Sequence, residues 1–143
     1  AVHICYGYGI EANIKWKETL GGEWRQYEEI FPALNRSKIQ QVSLECAGSK
    51  VPISLIRHLA DKTIMVGAID VATRAIEKSR ASRNPQAIET PEQVAGTLRE
   101  ALKYADADRI QASTNCGMAP LPRAVAAGKL QALGAGAALL RGA

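Results

Sequence analysis

Short apolar runs alternate along the chain with longer segments whose apolar residues recur at helical spacing. Each run is rich in Ile or Val and is followed by Gly, Asn or other polar residues, a pattern that predicts a buried strand. The runs are Val2 to Cys5, Ile39 to Glu45, Thr63 to Ile69 and Arg109 to Ser113. The sequence therefore predicts four strands separated by helical segments.

The helical patterns cover Trp24 to Phe31, Val51 to Leu59, Thr90 to about Lys103, and Leu121 to Leu140. The clearest helix start is Thr90-Pro91-Glu92-Gln93, because Thr can cap a helix, Pro suits its first position and Gln can complete a capping box. The last segment is rich in Ala. Its glycines at 128, 134 and 136 are candidate breaks or points of close packing.

Alternating strands and helices favour a parallel sheet with helices packed outside it, either doubly wound or part of a (β/α)₈ barrel. A whole barrel takes about 250 residues, whereas this chain has 143. We therefore expect residues 1–143 to form a single α/β unit of four strands and four helices, about half of a TIM-type barrel. Open sheet edges are normally covered, so we also expect a partner, either another half-barrel or a second copy in a homo-oligomer.

Composition narrows the class of protein. The chain is 47% hydrophobic and 22% charged, which is typical of a globular domain. No apolar stretch approaches the roughly 20 residues of a membrane span, and the N-terminus lacks the pattern of a secretory signal, so a cytoplasmic protein with no membrane partner is expected. The net charge of +4 is scattered, without a basic stripe that would indicate nucleic acid. Three cysteines, an odd number, argue against a disulfide scaffold.

Four residues with metal-ligating side chains lie at the predicted carboxyl ends of strands. His3 and Cys5 are two residues apart on the first strand and so point to the same face. Glu45 ends the second strand and Cys116 follows the fourth. Zinc favours nitrogen and sulfur ligands in tetrahedral geometry, and the carboxyl ends of barrel strands are where active sites form.

Each of these residues also has an ordinary structural interpretation. Buried His and free Cys are common in protein cores, and a strand-end Glu can cap the following helix or pair with Lys. Cys46 alternates with Glu45 along its strand, so it is expected to face the helices and serve in packing. Convergence of the other four on one edge is what favours a metal site.

The motifs at these strand ends resemble a known family. His3-Ile4-Cys5-Tyr6, Val42-Ser43-Leu44-Glu45, Val66-Gly67-Ala68-Ile69-Asp70 and Asn115-Cys116-Gly117-Met118 are similar, in order, to the catalytic barrel motifs of cobalamin-independent methionine synthases. The match runs from end to end of the chain and corresponds to the second half of the family's C-terminal barrel. The resemblance implies that His3, Cys5, Glu45 and Cys116 are zinc ligands.

The resemblance also implies an activity, which is methyl transfer from methyltetrahydrofolate to the thiol of homocysteine to give methionine. The chain departs from the folate-using members after its third strand, where their motif has Asp, an aliphatic residue and His. Here Asp70-Val71 is followed by Ala72-Thr73. The family's His helps to protonate the departing folate, so a methylated corrinoid protein becomes an alternative donor. Asp70 is a candidate catalytic residue that orients a ligand or binds the substrate amine, or else caps the next loop.

Two further functions remain open at the level of the sequence. The first is methyl or alkyl transfer to a different thiol, since residues expected to recognise the amine and carboxylate of homocysteine would lie largely in the other half of the barrel. The second is a non-catalytic zinc-binding half-barrel that serves as a partner-dependent subunit. Activity tests on the chain, alone and with the other half, would separate these alternatives.

Overall fold

The computed structural model describes residues 1–7, 11–71, 88–119 and 121–142. Its strands are β1 (Val2–Ile4), β2 (Gln41–Glu45), β3 (Thr63–Ile69) and β4 (Ile110–Thr114), and they form one parallel sheet. All four predicted strands are therefore confirmed, with β3 at its predicted bounds. The other three differ from prediction by one or two residues at their ends.

The spatial order of the strands, β1-β2-β3-β4, follows the order of the chain. A doubly wound sheet reverses its strand order at a switch point, and no such reversal occurs among the described strands. Consecutive parallel neighbours are the arrangement of a (β/α)₈ barrel. The prediction of an α/β fold of about half a TIM-type barrel is confirmed.

One face of the sheet carries the hydrophobic core. Alternate residues Val42, Leu44, Ile64 and Val66 are at most 2% exposed, as expected where helices cover a parallel sheet. On the other face, Ser43 and Met65 are only partly buried. They contribute to an open pocket of about 440 Å³ that also contacts His3, Ser113 and Cys116. The pocket therefore lies over this face of the sheet and extends to the carboxyl ends of the outer strands.

Four α-helices lie among the described residues: α1 (Glu11–Glu18), α2 (Tyr27–Arg36), α3 (Pro91–Ala101) and α4 (Arg123–Arg141). The capping box at Thr90 is present, since its side chain accepts from the Gln93 N–H and the Gln93 side chain accepts from the Thr90 N–H. The glycines of α4 do not break it. Gly136 packs so closely on Val94 of α3 that an added Cβ would lie 2.5 Å from that side chain.

The structure differs from the predicted helices at three places. The segment expected over Val51 to Leu59 forms a 3₁₀ helix at Ile53–His58, the form that short helical pieces commonly take. Helix α2 extends past Phe31 because Leu34 continues its apolar spacing against the core. Helix α1 was not predicted. Its sequence lacks the apolar spacing of a helix that packs on a core, and its largest apolar side chain, Trp16, is 46% exposed.

Candidate metal centre

Three of the four predicted ligand residues come together at the carboxyl ends of the strands. A ring nitrogen of His3 and the sulfur atoms of Cys5 and Cys116 all lie within 4.8 Å of one another. His3 is in β1, Cys5 follows it directly, and Cys116 lies two residues after β4. Ligands of tetrahedral zinc at about 2.3 Å from the ion lie about 3.8 Å apart. Shifts of about 1 Å would therefore bring all three atoms to one ion.

A hydrogen bond orients the imidazole of His3. Its Nδ1 lies 2.9 Å from Oγ of Ser43 on the neighbouring strand, where residues 3 and 43 are register partners. When Nδ1 donates this bond, Nε2 carries the lone pair that can bind a metal ion. A hydrogen bond from the second ring nitrogen is the usual support for a metal-binding histidine. Ser43 was not predicted as a site residue, because the pattern along each strand does not give the register between strands.

Glu45 lies at the same edge but outside this group of three. Its side chain is fully buried, and its Oε1 accepts the backbone N–H of Tyr6 at 2.9 Å. The carboxylate therefore contacts the residue that follows Cys5. The charge of this carboxylate is close enough to Cys5 to raise the pKa of the Cys5 thiol. Glu45 is thus placed beside the cluster rather than in it.

The two clustered thiols interact with each other. Burial is the largest cause that raises the pKa of Cys5, and the neighbouring Cys116 and Glu45 raise it further. A bound cation acts in the opposite direction, because it stabilises a thiolate. Two sulfur atoms with an imidazole nitrogen are also the donor set that zinc prefers. The described residues therefore fit a zinc ion in both composition and spacing.

Cys46 is set apart from the other cysteines. It packs against the hydrophobic core, and its thiol donates to the Leu44 carbonyl at 3.8 Å. Burial raises its pKa to about 12. It does not belong to the cluster of ligand atoms, in agreement with its interpretation as a packing residue.

Asp70, the candidate catalytic residue, follows β3 at the same edge of the sheet. Its backbone N–H donates to Oε1 of Glu89 at 2.9 Å, and its carboxylate lies against Gly48. A Cβ at Gly48, whose φ is +67°, would lie 2.4 Å from Oδ2 of Asp70. Glu89 is held in turn by Lys129 of α4, whose Nζ lies 3.0 and 2.8 Å from its two carboxylate oxygens.

This support for Asp70 was not predicted from the sequence. Lys129 is only 1% exposed and its partner 18%, so the pair is an almost buried link between α4 and the end of β3.

The departure from the folate-using motif falls at Ala72 and Thr73, which lie outside the described residues. Within the part of the chain that the structure describes, no helix is long and apolar enough to span a membrane.

Fold and site together define a parallel α/β barrel segment with two thiols and an imidazole clustered at its strand ends. In sequence and fold the chain is cobalamin-independent methionine synthase-like. It matches a solved B12-independent methionine synthase from a Shewanella species, in complex with selenomethionine, with 56% identity over 98% of this chain and a TM-score of 0.84. The resemblance inferred from the strand-end motifs is thereby confirmed.

Curated proteins named methionine synthase also match the chain. Methionine synthases of Sulfurisphaera tokodaii and Sulfolobus acidocaldarius are each 28% identical to this chain, over 98% and 90% of its length. The chain spans about a third of these relatives, 32% and 29% respectively, and 38% of the Shewanella protein. No family model matches the chain.

Proposed function

We propose that this chain supplies the thiol-activating zinc centre of a cobalamin-independent methionine synthase, which transfers a methyl group to homocysteine. The observation that carries the proposal is the approach of His3, Cys5 and Cys116 to within 4.8 Å of one another. The relatives named methionine synthase support the substrate, since the match covers nearly the whole of this chain.

His3, Cys5 and Cys116 would hold the zinc ion, with Glu45 as the fourth and most readily displaced ligand. When bound, zinc lowers the pKa of a coordinated thiol so that the thiolate is available at neutral pH. A carboxylate is a harder ligand than a thiolate and is less suited to zinc in a sulfur-rich site. Displacement of Glu45 would therefore open a position for the thiol of homocysteine.

The remaining residues keep this centre in place for transfer. Ser43 fixes the ring of His3 through Nδ1, and the Tyr6 N–H holds the carboxylate of Glu45 next to the cysteines. Asp70 stands at the end of β3, where it can orient the amine of the substrate. In the transfer itself the sulfur of homocysteine forms a bond to the methyl carbon while the bond from methyl to donor breaks, and the donor keeps that electron pair.

Residues 1–143 would act as one unit, the C-terminal half of a zinc-dependent barrel. In the described structure β1 pairs only with β2 and β4 only with β3, so each outer strand presents an edge that another half-barrel or a second copy could cover. An interface of this kind commonly exceeds about 2,000 Å². Light scattering that finds a stable monomer at micromolar concentration would contradict this part of the proposal.

The test of function is methionine formation by the chain assembled with the other half of the barrel. Homocysteine and a methyl donor should give methionine only when zinc is bound, and removal of zinc by a chelator should abolish turnover until zinc is restored. An alternative thiol offered at equal concentration tests specificity. Faster methylation of that thiol than of homocysteine would move the proposal to a different thiol methyltransferase.

A further inference from the structure

Asn115 joins the ends of three strands at the metal centre. The side chain is fully buried, and its Oδ1 accepts the Cys46 N–H at 3.1 Å while its Nδ2 donates to the Ala47 carbonyl. Its own backbone N–H donates to the carbonyl of Ile69 at 2.9 Å. One residue after β4 is thereby bonded to the chain that leaves β2 and to the end of β3.

The middle strand leaves room for this contact. A Cβ at Gly67 would lie 2.4 Å from Oδ1 of Asn115 and 2.8 Å from its Cα, well inside normal contact. Glycine within a strand often marks a point where another group approaches the backbone closely. Because Gly67 has no Cβ, the Asn115 amide can pass over β3 and reach the chain that follows β2.

These contacts fall directly beside the proposed ligands. Asn115 precedes Cys116, and its partner Cys46 follows Glu45. On the other side of Glu45, the carboxylate accepts the N–H of Tyr6, which follows Cys5. Hydrogen bonds thus link the chain next to Cys5, Glu45 and Cys116 across the carboxyl ends of the strands.

We propose that Asn115 is a positioning residue of the metal centre, which fixes the distance between Cys116 and the strand end that carries Glu45. The inference rests on the proposed function. Asn115 does not touch the metal; it acts through the backbone on either side of the amide. Loss of residues that support metal ligands typically lowers metal affinity about 10- to 100-fold.

The experiment compares Asn115→Ala and Asn115→Asp with a matched control, Asn35→Ala. Asn35 also makes two amide hydrogen bonds, donating to Oδ2 of Asp61 at 3.1 Å and accepting its N–H at 3.0 Å, but it lies in α2, away from the carboxyl ends of the strands. Zinc affinity is measured by competition with a chromophoric chelator. The absorption bands of bound Co²⁺ report the ligand geometry, and thermal unfolding of the metal-free protein reports the fold.

Asn115→Ala should lose zinc affinity by about 10- to 100-fold and shift the Co²⁺ bands, whereas Asn35→Ala should change neither. Asn115→Asp keeps an acceptor for the Cys46 N–H but loses the donor to the Ala47 carbonyl, so it should also weaken zinc binding and shift the Co²⁺ bands. If Asn115→Ala does not fold, Asn115→Asp decides the matter, and shifted Co²⁺ bands with weaker zinc binding support the inference. Unchanged affinity and Co²⁺ bands in the folded Asn115 variants would overturn it.

The unmodified protein separates this inference from the proposed function. If it binds zinc tightly and the Asn115 variants do so equally, only the positioning role fails. If the unmodified protein binds no zinc, the proposed function fails and the positioning role fails with it. An equal loss of affinity in Asn35→Ala would assign the effect to general loosening of the fold and would also overturn the inference.

Discussion

Cys5 and Cys116 follow the two outer strands of the sheet, yet their sulfur atoms lie within 4.8 Å of each other. In a flat sheet the outer two of four strands are about 14 Å apart, because neighbouring strands are spaced by about 4.8 Å. The segments after β1 and β4 therefore converge over the carboxyl end of the curved sheet. A metal ion bound by both thiols would tie together parts of the chain that are 111 positions apart in sequence.

Replacing either clustered thiol should nearly abolish zinc binding. We expect about one zinc per chain in the unmodified protein, and little or none in Cys5→Ser or Cys116→Ser, because a serine hydroxyl is a much weaker ligand for zinc than a thiolate. Elemental analysis after dialysis against a weak chelator measures this. Cys46→Ser is the matched control, since Cys46 packs on the core outside the cluster. An unchanged zinc content in Cys116→Ser would contradict the proposed ligand set.

Glu45→Gln should retain zinc and impair the entry of the thiol. The amide keeps an oxygen that can accept the Tyr6 N–H, so the fold at this point is preserved. The displaced carboxylate of Glu45 would accept the proton that homocysteine releases on binding, and a neutral amide cannot take that proton. Titration of the Co²⁺-loaded protein with homocysteine, followed by absorbance, should show weaker thiol binding than in the exposed control Glu100→Gln. A loss of metal as complete as in Cys116→Ser would show instead that Glu45 is required to hold the ion.

Lys129→Met should destabilise the protein by about 3 kcal/mol, because it removes one partner of an almost buried ion pair. Glu89 would lose its ammonium partner while still accepting the Asp70 N–H. Urea unfolding measures the change in the free energy of unfolding. The control is Lys103→Met, which breaks the exposed pair with Glu100 and should change stability by less than about 1 kcal/mol. Equal effects of the two substitutions would show that the Lys129 pair contributes no more than a surface pair.

The identity of residue 72 leads to a prediction about the methyl donor. Where the folate-using motif that this chain resembles has His, this chain has Ala72, and without a positioned acid the release of tetrahydrofolate should be slower by about 10²- to 10⁴-fold. A methylated corrinoid needs no such proton, because its cobalt departs as a stable reduced species. The reconstituted barrel should therefore form methionine faster from methyl-corrinoid than from methyltetrahydrofolate at equal concentration. Ala72→His is the companion variant, and rapid methylfolate turnover by the unmodified protein would contradict the prediction.

The sequence allowed prediction of those features that depend on local pattern. The spacing of His3 and Cys5 fixed their common face, and the apolar runs located the strand ends where Glu45 and Cys116 lie. The contacts that support the site could not be predicted in this way. Asn115 reaches Cys46 across 69 residues, and Lys129 reaches Glu89 across 40. Such contacts depend on how helices and loops pack in three dimensions, which no periodic pattern records.

The proposed function requires this chain to bind zinc through two cysteine thiolates and to present it to the thiol of homocysteine. Zinc K-edge X-ray absorption of the zinc-loaded protein tests it most directly. We predict two sulfur neighbours at about 2.3 Å from zinc in the absence of substrate, and three after homocysteine is added. A zinc site without sulfur neighbours, or one whose sulfur count does not change with homocysteine, would contradict the account.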